Sequence, residues 1–295
     1  MAKQRTRETD GRSAGWGRET AGGTMQLGGM ALRDGVMFMG GSHWAAAVRR
    51  PDGGIEVHSG RRPTTPGGRG LARVPFVRGV SRLAESLAVL PAVRRKMGPV
   101  LPQEDPRLLA AAGVGALAGT AVRRWPGGSP ILKETLVAAL TLAPALLTLR
   151  DSRVAGYHGA EHKSVAATES GTPARSAGKE HVRCGSMLVA PLLFTSALGN
   201  LLLRRFKADR NPAAVLAVGV AGLGVAVEVF SWAARHEGHP LAELVKRPGL
   251  ELQRMATTRE PDESQLAVAD AAMNELLRLE GRTRAAAGPA GDLLG

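Results

Sequence analysis

Residues 212–234 read PAAVLAVGVAGLGVAVEVFSWAA. As a helix rising ~1.5 Å per residue, this run is long enough to cross a hydrocarbon core about 30 Å thick. It contains one ionisable residue, Glu228, and carries Trp232 near its end. Three more apolar stretches lie upstream. Residues 187–203 (MLVAPLLFTSALGNLLL) are stopped by Arg204-Arg205, and residues 131–149 (ILKETLVAALTLAPALLTL) approach a full span with Lys133 and Glu134 at one end. Residues 108–122 (LLAAAGVGALAGTAV) lie between Arg107 and Arg123-Arg124-Trp125. At about 22 Å this stretch spans only with help from snorkelling flanks, or else is re-entrant. Each stretch alone suits the buried helix of a soluble protein. Four together, with basic and Trp flanks, predict a mainly α, polytopic membrane bundle of about four spans.

The composition agrees. Aromatic residues make up only 3% of the 295 residues, and the apolar content is mostly Ala, Val and Leu gathered in runs, which suits helices that pack closely in lipid. Lys and Arg outnumber Asp and Glu by 39 to 26. The excess favours anionic lipid headgroups, and no nucleic-acid-binding motif accompanies it. With four crossings, the N-terminal region, the 150–186 loop and the C-terminal region share one face. The positive-inside rule puts that face in the cytoplasm of a plasma-membrane (inner-membrane) protein. The basic 204–211 loop (RRFKADRN) then lies outside, against the rule.

Outside the spans, residues 1–24 read as a disordered basic tail without the apolar core of a signal peptide. The 25–105 region holds GGMALRDGVMFMGG (28–41), whose paired glycines suggest turns around a short ordered stretch. It also holds two short runs, 43–50 and 55–62, around Pro51-Asp52-Gly53-Gly54, which predict a small β-hairpin. Val80, Leu83, Leu87 and Leu90 fall at helical spacing and predict an amphipathic helix lying on the membrane. The spans occupy 106–234. In the cytoplasmic 235–280 region, Pro261-Asp262-Glu263 signals a helix start. Leu266, Ala269, Met273, Leu276 and Leu277 then form one apolar face of a C-terminal amphipathic helix. Residues 281–295 read as a second disordered tail.

The loop after the second span contains His158-Gly159-Ala160-Glu161-His162, an H-x-x-E-H pattern. On a helix these three side chains share a face. The imidazoles then hold a divalent metal, zinc best of all, while Glu161 serves as base or as a further ligand. The plain alternative is a surface helix whose His and Glu pair with neighbours or lipid phosphates. Cys184, in His181-Val182-Arg183-Cys184-Gly185, is a candidate third ligand, or else a small buried residue at a helix start. His181 is a ligand or merely interfacial. Glu228 needs a partner inside the bundle, which makes it another candidate ligand, or it snorkels. Asp34 is an additional ligand or a turn residue. His43, His58, His236 and His239 have no partner spacing.

These blocks resemble the YqhQ-like family, a domain of unknown function, across roughly residues 28–280. They are GVMFMGG, AVRRPDGGI, PFVRG, YHGAEHKS, RCGS, the Glu-bearing last span and PGLELQRMATTREPDESQLAVA. Asp34 stands where the family usually has Glu, and RCGSM where it has RCGTS. The resemblance implies a polytopic membrane protein described as a predicted metal-dependent enzyme, with His158, Glu161, His162, Cys184 and Asp34 as its site. No substrate comes with it.

Two functions fit. One is a metal-dependent enzyme, a hydrolase acting on a lipid headgroup or peptide at the cytoplasmic membrane face. His158, His162 and Cys184 or Glu228 would be its ligands and Glu161 its base. The other is a non-catalytic membrane factor that docks a cytoplasmic protein partner, such as the ribosome or biogenesis machinery. There the basic tail and C-terminal helix would do the docking, and the cluster would be a structural clip.

Overall fold

Four strands form an antiparallel meander: β1 (Gly28–Leu32), β2 (Gly35–Met39), β3 (His43–Arg49) and β4 (Ile55–Arg61), in that spatial order. The computed structural model describes residues 27–63, 74–150, 152–236 and 238–282. The expected hairpin is therefore the second half of a larger sheet. Its turn follows the predicted chemistry. Gly53 adopts φ 85°, Asp52 accepts from the Gly54 amide at 2.9 Å, and Arg50 and Gly54 close the loop at 2.8 Å. The GVMFM strand hides from pattern reading because all five of its residues are buried, so polar and apolar residues do not alternate. Val36 and Phe38 face one core, with Tyr157, Leu266 and Met273; Met37 and Met39 face a second, with Trp44, Val89 and Val93.

Helices cover both sheet faces. The chain continues through α1 (Val77–Leu87), α2 (Leu90–Met97), α3 (Pro106–Arg124), α4 (Pro130–Arg150) and α5 (Ser152–Ser170). It ends with α6 (Val189–Arg205), α7 (Pro212–Arg235), α8 (Pro240–Leu252) and α9 (Glu263–Leu279). Helices α5 and α9 pack on the first face and α2 on the second. The start of α9 is a capping box in which Asp262 accepts from the Gln265 amide at 2.9 Å and Gln265 from the Asp262 amide at 3.1 Å. Leu266, Ala269, Met273, Leu276 and Leu277 are all buried. That apolar face is covered by the chain's own sheet, so it is not free for a partner. Glu280 ties the end of α9 to the β2–β3 turn, accepting from the Ser42 and His43 amides at 2.9 and 2.7 Å.

The apolar helices form two hairpins, α3–α4 and α6–α7. Small residues set their close approach: Gly115 lies against the Leu140 carbonyl, and Gly222 against Thr195. The first apolar stretch makes a longer helix than its apolar run, 19 residues including Arg123 and Arg124. The hairpins are clasped at the end far from the sheet. There Glu134, buried on α4, lies 3.6 Å from both Arg123 and Arg204 and accepts from Asn200 at 3.0 Å. Among the described residues, two helical segments are long and apolar enough to cross a membrane, Gly185–Arg205 and Pro212–Arg235. The fold is mainly helical, with an N-terminal four-stranded sheet. The tails expected at 1–24 and 281–295 lie outside the described residues, apart from Gly281 and Arg282.

Candidate metal centre

Helix α5 carries YHGAEH through the middle of the protein, and its residues from Val154 to Val165 are buried but for a partly exposed His158. Glycine permits this. A Cβ on Gly156 would meet the Gln265 side chain, and one on Gly159 would meet the Arg259 carbonyl. Across the helix, Gly29 of β1 leaves the room that the Glu161 carboxylate fills. The paired glycines near residue 28 are thus strand residues at a close approach rather than turn residues.

Each imidazole of the pair is fixed by a backbone carbonyl. His158 Nδ1 lies 2.7 Å from the Thr257 oxygen, and His162 Nδ1 lies 2.7 Å from that of Lys179. A carbonyl only accepts, so both Nδ1 atoms carry the proton and both Nε2 atoms present a lone pair. The rings stand 4.4 Å apart, edge to face. His158 Nε2 meets Cys184 Sγ at 3.4 Å, whereas His162 Nε2 is buried with no hydrogen-bond partner. One ring nitrogen from each imidazole and the sulfur lie within 4.8 Å of one another. An orphaned imidazole nitrogen beside a second lone pair and a thiol is a costly arrangement without a cation and a suitable one with it.

Glu161 borders this trio, with Oε2 3.8 Å from His158 Nε2. Burial pushes its carboxyl above the usual range, against the pull of His158 and His181. The His181 ring lies tilted at 43°, 5.8 Å from that of His162, but its Nδ1 accepts from the Arg183 amide at 3.3 Å. Its Nε2 therefore carries the proton and faces Glu169 at 3.6 Å, leaving no lone pair for a metal. Asp34 instead holds Arg153 at 2.9 Å, tying the β1–β2 turn to the start of α5. Glu228 is engaged by Arg78 on α1 and by the amide of Phe76 just before it, and does not join the trio. Of the residues singled out in the sequence, the structure gathers His158, His162 and Cys184, with Glu161 beside them.

Sequence reasoning missed the residues that aim the ligands. Gln253 is fully buried. It accepts from the His181 amide at 2.8 Å and donates to the His181 carbonyl and Ser186 Oγ at 3.0 and 2.7 Å, clamping the turn that carries Cys184. It opens a π-helical turn, Gln253–Thr257, at whose end the Thr257 carbonyl meets His158. The one available signal was a polar side chain inside LELQRMATT, which spacing alone does not interpret.

A family model described as "Protein of unknown function (DUF1385)" matches residues 145–279, which contain the trio, Gln253 and α9. "Uncharacterized protein YqhQ" from Bacillus subtilis (strain 168) is 29% identical over 298 residues, covering 86% of this chain and 92% of its own length. No solved structure matches the chain. The family match includes the helix that carries the trio, the relative aligns over nearly the whole length, and together they support a place for this chain among the YqhQ-like DUF1385 proteins.

Proposed function

We propose that this is a multi-pass plasma-membrane protein that binds one divalent metal, zinc, through His158, His162 and Cys184 and acts as a hydrolase at the cytoplasmic bilayer surface. The observation that carries the metal is the buried, unpartnered Nε2 of His162, held there by the Lys179 carbonyl. Two imidazoles and a thiolate suit zinc better than magnesium or calcium, which prefer oxygen. Zinc bound there would supply a Lewis acid. The chain supplies the rest. Carbonyls of Thr257 and Lys179 orient the rings, Gln253 holds the Cys184 turn, and Glu161, its proton affinity raised by burial, sits beside the trio where it can accept or release a proton.

Four crossings, by α3, α4, α6 and α7, are supported by large apolar side chains that face outward on each helix. Leu117 is 74% exposed, Ile131 76%, Phe194 70% and Leu216 69%. In that arrangement the sheet and the trio share one side, since Cys184 directly precedes the Gly185–Arg205 segment. Arg123 and Arg204, the awkward cations of the opposite end, are drawn to Glu134. This eases the conflict with the positive-inside rule. A substrate would then be presented at the membrane surface, as a lipid headgroup or membrane peptide.

A second reading rests on the 3.8 Å between Glu161 and His158. If Glu161 is the fourth ligand, the site is a closed structural clip joining α5 to the start of α6. Elemental analysis of detergent-purified protein tests both readings. About one zinc per chain, lost in His162→Ala and Cys184→Ser, is expected. Zinc retained in Glu161→Gln supports the open, hydrolytic site. Zinc lost there supports the clip, and no metal in the wild type defeats both.

A further inference from the structure

Helix α7 is 24 residues long, and Gly224 lies midway along it, about 17 Å from either end. A Cβ on Gly224 would strike the Phe76 carbonyl, and one on Gly79 would strike the Val227 side chain. Helix α1 therefore begins beside the middle of α7 and climbs parallel to it, toward the sheet. Its 11 residues rise about 16 Å, the remaining half of α7. Just beyond its far end, Val89 is buried in the core beneath the sheet.

The beginning of α1 is built for a place without water. Phe76 has φ 66°, a conformation that a bulky residue adopts only when its surroundings force it. Its amide donates to Glu228 Oε1 at 3.1 Å, and Arg78 grips both oxygens of the same carboxylate, with Nε at 2.7 Å. The Arg78 amide is satisfied by the Val74 carbonyl at 2.9 Å. Helix α1 has no side-chain cap of its own and no acidic residue in its first turn. Glu228, from another helix, thus supplies both a hydrogen-bond acceptor and the negative charge that a helix N-terminus favours. Around this satisfied polar centre the surface is apolar: Val74 is 45% exposed, Phe76 54% and Val77 40%.

We infer that α1 is a re-entrant half-helix whose tip lies near mid-bilayer depth, with Val74, Phe76 and Val77 covered by phospholipid acyl chains and Glu228 serving as the cap of that tip. The inference rests on α7 crossing the membrane. The occupant is argued from continuity, because the exposed apolar tip lies against the middle of a membrane-spanning helix. Glu228 belongs to this tip rather than to the metal trio, and α1 stands along α7 instead of lying across the bilayer surface.

The test places the photo-crosslinking residue p-benzoylphenylalanine at Phe76, at Val220 one helical turn from Gly224, or at exposed Arg175. Each full-length variant is reconstituted in phospholipid nanodiscs, irradiated, and analysed by mass spectrometry for acyl-chain adducts. Adducts at 76 and 220 but not at 175 are expected. An adduct at 220 with none at 76 overturns the half-helix while leaving the span intact. Adducts at neither position overturn the span and the half-helix together. Glu228→Ala, which removes the acceptor of the Phe76 amide and the partner of Arg78, is expected to cut the adduct at 76 several-fold and leave that at 220 unchanged. An unchanged adduct at 76 removes the capping role.

Discussion

Replacing Gly159 with alanine tests the packing that aims His158. The new methyl would fall inside contact distance of the Arg259 carbonyl oxygen, with the Arg259 carbonyl carbon at 3.2 Å and Pro261 Cδ at 3.3 Å. These are backbone and ring atoms, so no flexible side chain can swing away. The opposing segment is itself tied to α5 through the Arg259 amide and the Ala155 carbonyl at 3.0 Å. Relief requires α5 and residues 257–261 to part. Overpacking of this kind costs about 1–3 kcal/mol. Stretching the Arg259–Ala155 and His158–Thr257 bonds adds about 1 kcal/mol each. The better helix propensity of alanine returns about 1 kcal/mol. A net loss of about 2–4 kcal/mol follows. The control is Gly113→Ala on α3, where no atom lies within 4 Å of the new methyl and the propensity gain stands unopposed. Thermal unfolding of both variants and wild type in one detergent is the assay, with zinc content measured alongside. Gly159→Ala as stable as wild type would refute the packing argument. A destabilised variant that still binds zinc fully would refute only its link to His158.

Three further changes follow from named contacts. Gln253→Leu strands the His181 amide and carbonyl and the Ser186 hydroxyl. It should cost about 2–4 kcal/mol and speed alkylation of Cys184 by a maleimide under native conditions; an unchanged rate argues against the clamp. Glu280→Gln weakens the cap on Ser42 and His43 and should cost about 1–2 kcal/mol at pH 7. Burial pushes the Glu280 carboxyl up, but hydrogen bonds from Ser42 and His43 outweigh it and leave the group below its usual value. Its stabilisation is therefore present above the unfolded-state value and is lost as pH falls through the folded one, so the gap between wild type and variant in denaturant melts should narrow in acid. Glu161 has the opposite sign. Burial raises its carboxyl, so ionisation weakens the metal-free fold increasingly as pH rises from the unfolded toward the folded value. Chelator-treated Glu161→Gln should be more stable than wild type at pH 8 and gain nothing at pH 4; equal stability at pH 8 would show that the carboxylate is not strained by burial.

Local patterns carried much of this fold. The apolar face of α9 and its Asp262 cap, the Pro51–Gly54 turn, and the placement of His158 and His162 one turn apart on a helix all depend on residues within a few positions of each other. Contacts between distant segments were illegible. Strand β1 looked like turn sequence because Gly28 and Gly29 are adjacent; Gly29 is needed where Glu161, far along the chain, fills the space a side chain would take. Strand β2 lacked alternation because both of its faces are covered.

Glu228 shows why the same residue could be read two ways. An ionisable group in an apolar run announces that a partner exists, since an unpaired carboxylate among apolar neighbours is too costly to keep. It does not announce which partner. Spacing and the assumed topology pointed to the nearest cluster with ligand chemistry, the imidazoles of α5. The partner is Arg78, separated from it by 150 positions. That arginine sits in PFVRG, where its own charge has no acceptor close in sequence and where Phe76 takes a conformation that no propensity predicts. Each half of the pair was anomalous alone: a carboxylate within a long apolar run, and a basic residue early in an otherwise apolar helical stripe. Two opposite charges out of place in separate apolar segments are a stronger signal of helix pairing than either is of a ligand. Applied to the other hairpin, the same rule matches Glu134 on α4 with Arg123 and Arg204 at the ends of its neighbours, where the structure places them.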